Sequence, residues 1–245
     1  MKKLIFIIFS LALTIGVTAQ SGKITYKETM KLNIKLDDAQ GGQLADMLPR
    51  ENVSEKILLF TPTATFYEQK EKNEEQMVTE NNGIATSINI VQPDNKVYYD
   101  LKNQKKTEQR DFLGRNFLIE SEPDTLNWKI TGKQKTIAGR NCMEATTQYK
   151  ENKISAWFTP EIPVSSGPGN LHGLPGMILH ADINDGQQII TATQISLEPI
   201  DAKGIAKPQK GKKVTKAEFE KIVEEKNKEL GNGSGGNAVI KIITK

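Results

Sequence analysis

Ile24-Thr25-Tyr26-Lys27-Glu28-Thr29-Met30-Lys31-Leu32-Asn33-Ile34-Lys35-Leu36 is the stretch that decides the fold. Its even positions are apolar except Glu28, and Lys27, Lys31, Asn33 and Lys35 stand between them. A period of two over this length predicts a long, half-buried strand.

Further strand-like runs cover 56–60, 84–91, 96–101, 116–120, 125–130, 142–149, 153–159, 177–183 and 187–197. Turn signals separate them at 81–83, 92–95, 122–124, 150–152 and 184–186. Short strands joined this way predict a mainly β chain, an antiparallel meander forming an open barrel or curved sheet. Two helices are expected. One is a short segment at 38–47 that Gly41 and Gly42 weaken; the other spans 215–230, where Thr215 and Glu218 make a capping box ahead of Phe219, Ile222 and Val223. The glycine-rich 231–236 reads as a linker, and 237–244 as a last strand.

At the other end, Lys2-Lys3, the apolar run 4–15 and Val17-Thr18-Ala19 follow the order of a secretory signal peptide. The run is shorter than the ~20 residues that cross a bilayer, so no transmembrane span is expected in the mature chain. The only cysteine is Cys142, so no lipid-bearing cysteine follows the apolar run and no internal disulfide is possible. The expected product is periplasmic, residues 20–245, in one β-rich domain. Without Lys2 and Lys3 the chain holds 31 basic against 30 acidic residues. That balance supplies no field for nucleic acid. The clusters Lys102, Lys105, Lys106 and 207–213 read as a solvated face.

The densest punctuation is Trp157-Phe158-Thr159-Pro160-Glu161-Ile162-Pro163, then Gly167-Pro168, then Gly173-Leu174-Pro175-Gly176-Met177-Ile178. With Ile137-Ala138-Gly139, Cys142 and Ala145 ahead of it, this constellation resembles the GLPGLI family of exported proteins from Gram-negative bacteria. The resemblance implies an envelope location and a neighbourhood of outer-membrane transport genes, but no assigned activity. At the level of fold alone, the layout also looks like the half-barrels that carry lipid or lipoprotein across the periplasm.

Pro175 fixes one φ while Gly173 and Gly176 are free to take positive values, so the motif predicts a rigid corner. That corner aims an apolar strand back across the sheet. If the segment also lines the mouth of an apolar cavity, its binding residues are Trp157, Phe158, Glu161, Pro163, Gly167, Pro168, Gly173, Leu174, Pro175 and Gly176.

No nucleophile motif and no phosphate loop is visible, so neither a catalytic residue nor a cofactor is assigned. The rival readings are an enzyme that no motif identifies and a metal site, the latter built on His172, His180 and Cys142 with Met143, Met177 and Glu161 nearby. In a regular strand over 177–183, however, His180 shares the solvent face with Ile178 and Asp182, opposite an apolar face of Met177, Leu179, Ala181 and Ile183. The partner expected from these readings is a lipid-like ligand or an outer-membrane transport protein.

Overall fold

The computed structural model describes residues 20–32, 50–70, 74–81, 84–91, 93–200, 204–229 and 239–244; over 74–91 and 239–244 it describes the main chain alone. The expected signal peptide, the short helix at 38–47 and the linker 231–236 lie outside the described residues.

Fifteen strands and one helix are described. They are β1 (Gly22–Lys31), β2 (Glu51–Phe60), β3 (Ala64–Gln69), β4 (Glu74–Asn81), β5 (Ile84–Val91), β6 (Lys96–Asp100), β7 (Lys105–Phe112), β8 (Arg115–Ser121), β9 (Lys129–Ile137), β10 (Arg140–Tyr149), β11 (Asn152–Thr159), β12 (Met177–Ile183), β13 (Gln188–Ser196), β14 (Lys212–Val214), α1 (Lys216–Glu229) and β15 (Val239–Thr244). Twelve strands make one sheet in the order β14-β8-β7-β6-β3-β2-β1-β13-β12-β11-β10-β9, and β15-β5-β4 make a second. All pairings are antiparallel except that of β14 with β8, so the large sheet is mixed, and it does not close.

The strand expected over 24–36 appears, as far as the described residues reach, as β1, where Ile24 and Tyr26 are wholly buried; 33–36 lie outside the described residues. β1 sits between β2 and β13, so two meanders meet at it.

The sheet must curl. Ten strand spacings separate β8 from β9, roughly 48 Å if the sheet were flat. Only residues 122–128 join those two strands, and seven residues with their flanking bonds reach roughly 27 Å. The two ends of the sheet therefore come back toward each other, leaving an open seam between them. Helix α1 lies along that seam. Its Phe219 packs on Phe112 of β7 and Phe117 of β8, with ring centroids 6.2 and 5.3 Å away, and its Glu220 pairs with Lys150 after β10 at 3.0 Å.

Two apolar clusters fill the interior. The first gathers Ile24, Tyr26, Leu58, Phe60, Val97 and Tyr99; the second gathers Ala145, Ile154, Ala156 and Phe158. Segment 160–176 feeds both, giving Ile162 and Val164 to the first and Leu171 and Leu174 to the second.

Three sequence expectations are corrected here. The strand expected at 125–130 forms later, as β9, because Pro123 and the anchored side chains of Asp124 and Trp128 hold the seam crossing in an irregular path. The regular alternation expected in 177–183 breaks at Leu179, where Trp157 pairs with His180 and Phe158 with Ile178. That extra residue re-aims the side chains. Met177 and Leu179 consequently join the first cluster, Ile178 and Ala181 the second, and His180 is half-buried instead of facing solvent. Lys106, expected on a solvated face, is 1% exposed in the interior.

Candidate functional site

The motif forms the corner that its glycines and proline predict. Gly173 and Gly176 have φ of +89 and +150. A Cβ on Gly176 would lie 2.2 Å from the Thr159 carbonyl oxygen, so the corner brings two main-chain segments into contact that no side chain could enter. The preceding segment then runs extended, with Ile162, Val164 and Ser166 inward and Glu161, Pro163 and Ser165 exposed. Met177 N–H donates to the Ile162 carbonyl at 3.0 Å and Ile178 N–H to the Ser166 carbonyl at 2.9 Å, fastening the segment alongside β12.

Of the residues read from sequence as a binding loop, Phe158, Gly167, Pro168, Leu174 and Gly176 are buried, and Glu161, Pro163, Gly173 and Pro175 are exposed. Trp157 is half-buried on β11, with the Lys135 ammonium 4.1 Å from its ring centroid. Glu161 accepts from Arg140 Nη1 and from Asn141 N–H, both at 3.0 Å, and the Arg140 bond leads in holding its carboxyl below the usual range.

The segment also reaches across the interior to the far strands. Ser166 bonds Thr65 of β3 at 3.1 Å, Asn170 Nδ2 donates to Glu108 Oε1 of β7 at 3.1 Å, and the His172 ring packs against Tyr99 of β6 at 5.3 Å. From the seam, Trp128 Nε1 donates to the His172 carbonyl at 2.8 Å.

Where these contacts converge, the lining changes from apolar to charged. Lys106 Nζ lies 3.1 Å from Glu108 Oε2 and 3.3 Å from Asp124 Oδ2. Glu108 Oε1 also accepts from Arg110 at 2.8 Å, and Asp124 Oδ1 from Lys216 of α1 at 2.5 Å. Burial raises the Glu108 carboxyl, but Arg110, Lys106 and the Asn170 amide outweigh it and hold the group below its ordinary value. Burial opposes ionisation of Asp124 as well, and Lys216 and Lys106 bring it down to about 2. Both acids stay ionised, and the network fastens β7, the 122–128 crossing and α1 across the open seam.

Beside this clasp lie polar atoms that the fold leaves unused. Tyr99 is 3% exposed, and its hydroxyl has no hydrogen-bond partner among the described residues; nor have His172 Nε2 and Asn170 Oδ1. Buried polar atoms without partners are uncommon in folded proteins, and they accumulate where water or a ligand completes the structure. Burial, with Glu108 and Asp124 nearby, pushes the Tyr99 phenol up, so it remains a neutral donor. Burial and Lys106 push the His172 imidazole down. Its Nε2 has no partner among the described residues, and as a ring nitrogen it can serve as donor or acceptor.

The histidines and the cysteine of the metal reading lie apart in their contacts: His180 Nδ1 is 2.8 Å from Thr191 Oγ1, and Cys142 is buried in the first cluster. Among the described residues no three His, Cys, Asp or Glu side chains are grouped to hold a metal ion. Burial takes the His180 imidazole down to about 4 and the Cys142 thiol up to about 11, so neither is a poised acid, base or nucleophile at neutral pH.

Sequence reading reached His172 but missed Tyr99, Lys106, Glu108 and Asp124. The available signal was that Tyr99 closes a β-like run while the next run, 105–112, alternates charged residues where apolar ones belong.

The chain is similar in fold to solved structures of PNGF-II. That in the P21 space group has a TM-score of 0.56 at 15% identity, over 84% of this chain and 34% of that one. That in the C2 space group has 0.55 at 15%, over 84% and 33%. This chain thus spans about a third of the length of those structures. No curated protein matches it. The model of the family described as a protein of unknown function (Porph_ging) matches residues 53–180, more than half of the chain, which therefore belongs to the Porph_ging family.

Proposed function

We propose that this is an exported envelope protein of the GLPGLI type, its residues 1–19 removed as a signal peptide, that works as a single periplasmic domain binding an amphipathic ligand at the seam of its open sheet. The observation that carries this reading is the position of segment 160–176. It crosses the interior of an unclosed sheet, packs its apolar side chains into both core clusters, and ends at a polar corner whose hydrogen-bonding capacity is unfilled. An interior with an apolar stretch and a few convergent polar groups suits a molecule with a tail and a head. Catalysis is a poorer match, because the buried carboxylates are locked in ion pairs.

Two measurements test it. Protein recovered from the periplasm of a producing cell is expected to have the intact mass of residues 20–245; full-length chain in the membrane fraction contradicts export. The same protein is expected to carry extractable lipid or to bind a fluorescent hydrophobic probe that an alkyl-chain amphiphile displaces. Protein that carries no lipid and binds no such probe contradicts the amphipathic ligand.

A further inference from the structure

We infer that the polar corner beneath segment 160–176 is a subsite for a neutral, hydroxyl-bearing group, recognised by Tyr99, Asn170 and His172 together. This deepens the proposed ligand binding and rests on it for the tail of the ligand, though not for the head.

The inference follows from what the three orphaned atoms can do. Asn170 donates its Nδ2 to the Glu108 carboxylate, and the opposite amide orientation would set oxygen against oxygen, so Oδ1 is the free atom and is an acceptor. His172 Nε2 takes either kind of hydrogen bond, as acceptor or donor according to which ring nitrogen holds the proton. The Tyr99 hydroxyl can donate, and it is almost wholly buried with no described partner. A group that completes the set must give a hydrogen bond to Asn170 and take one from Tyr99, and a group able to do both also suits His172 Nε2 in either state.

Charged heads fail that requirement. A carboxylate or sulfate has nothing to donate to His172 or Asn170, and the nearby cations Lys106, Arg110 and Lys216 are each paired with a carboxylate already. An ammonium can donate, but it offers no acceptor to Tyr99 and sits close to Lys106. Adjacent hydroxyls both donate and accept and carry no charge, so a diol or polyol satisfies all three. Asn170 and His172 are half-buried as residues, while the three unpartnered atoms are themselves covered.

The test uses the mature chain with 1-O-octylglycerol, octanoate and octylamine as probes, and glycerol as the head alone, read by the indole N–H signal of Trp128 and the ring signals of His172. Octylglycerol is expected to shift both sets and to bind at least tenfold tighter than octanoate or octylamine. Glycerol is expected to shift the same signals weakly. Tyr99→Phe and His172→Phe, which keep the ring contact, are expected to abolish the preference for octylglycerol; the two together guard against a folding defect in either. If all three amphiphiles bind equally and glycerol shifts nothing, the subsite falls while the amphipathic reading stands. If glycerol shifts these signals but no amphiphile binds more tightly than glycerol, the subsite stands and the amphipathic reading falls. Signals unmoved by any probe overturn the subsite, leaving ordered water alone in the corner.

Discussion

At Gly176 the main chain enters β12 with φ +150, and the Thr159 carbonyl oxygen occupies the space that a Cβ would need. Gly176→Ala is expected to destabilise the fold by about 3 kcal/mol or more, since strain and overpacking act together. Gly139 is the control: it also has positive φ, +75, but open space around the missing Cβ, so Gly139→Ala should cost only about 1 kcal/mol. Urea titrations of both variants check the difference; equal losses would mean that the close approach at Gly176 is not made. The need for glycine here was legible in Gly173-Leu174-Pro175-Gly176, because glycine and proline report main-chain geometry directly. The buried Lys106 was not legible, because a lysine in the run Lys105-Lys106 looks the same whether its ammonium meets water or two carboxylates. Lys106→Met is expected to cost about 3 to 5 kcal/mol, as it leaves Glu108 and Asp124 without their shared cation. The pH dependence follows from the same network. Both carboxyls titrate below their unfolded values of about 4, so the stability they confer is complete above about pH 5 and is lost as pH falls towards 2. Asp124→Asn is expected to flatten that loss in denaturant midpoints measured from pH 6 to 2; an unchanged slope would contradict the clasp.

Elements divide by how far hydropathy could reveal them. β5 and β12 lie where the sequence places them, and β10 and β11 begin within two residues, because each carries apolar residues flanked by turn residues. β7 escaped notice, since its inward positions are Lys106, Glu108 and Arg110, and a strand that buries charge has no apolar period. β9 was expected too early, at 125–130, because it is an edge strand exposed at every position but Ile137 and so has no apolar period to fix its bounds. The bulge at Leu179 was hidden for a third reason: an extra residue leaves no mark on composition. Helix α1 was legible from its capping box, which forms as read, with Thr215 N–H and Oγ1 bonding Glu218 Oε2 at 2.7 and 2.9 Å. The helix buries no residue fully, so it should open independently of the sheet. Phe219→Ala removes its contact with Phe112 and Phe117; amide exchange is expected to quicken throughout 216–229 while β1, β2 and β13 keep their protection. Equal acceleration in the sheet would show that α1 is part of the cooperative core.

For the whole molecule, the mainly β class and the open sheet follow from repeated short strands and turns. The strand order does not, because β1 pairs with β13 more than 150 residues away and no local pattern encodes that contact. Curvature was equally hidden, and it determines the site: only in a curled sheet can a segment leaving β11 touch β3, β6 and β7 at once. The central claim is therefore that His172 sits in the interior against Tyr99, at the edge of the charged clasp. Long-range proton–nitrogen NMR of the His172 ring through a pH titration tests it most directly. A ring titrating below the ordinary value near 6.5, with through-space contacts to the Tyr99 ring, is the predicted result. A ring titrating near 6.5 and without contact to Tyr99 would contradict it.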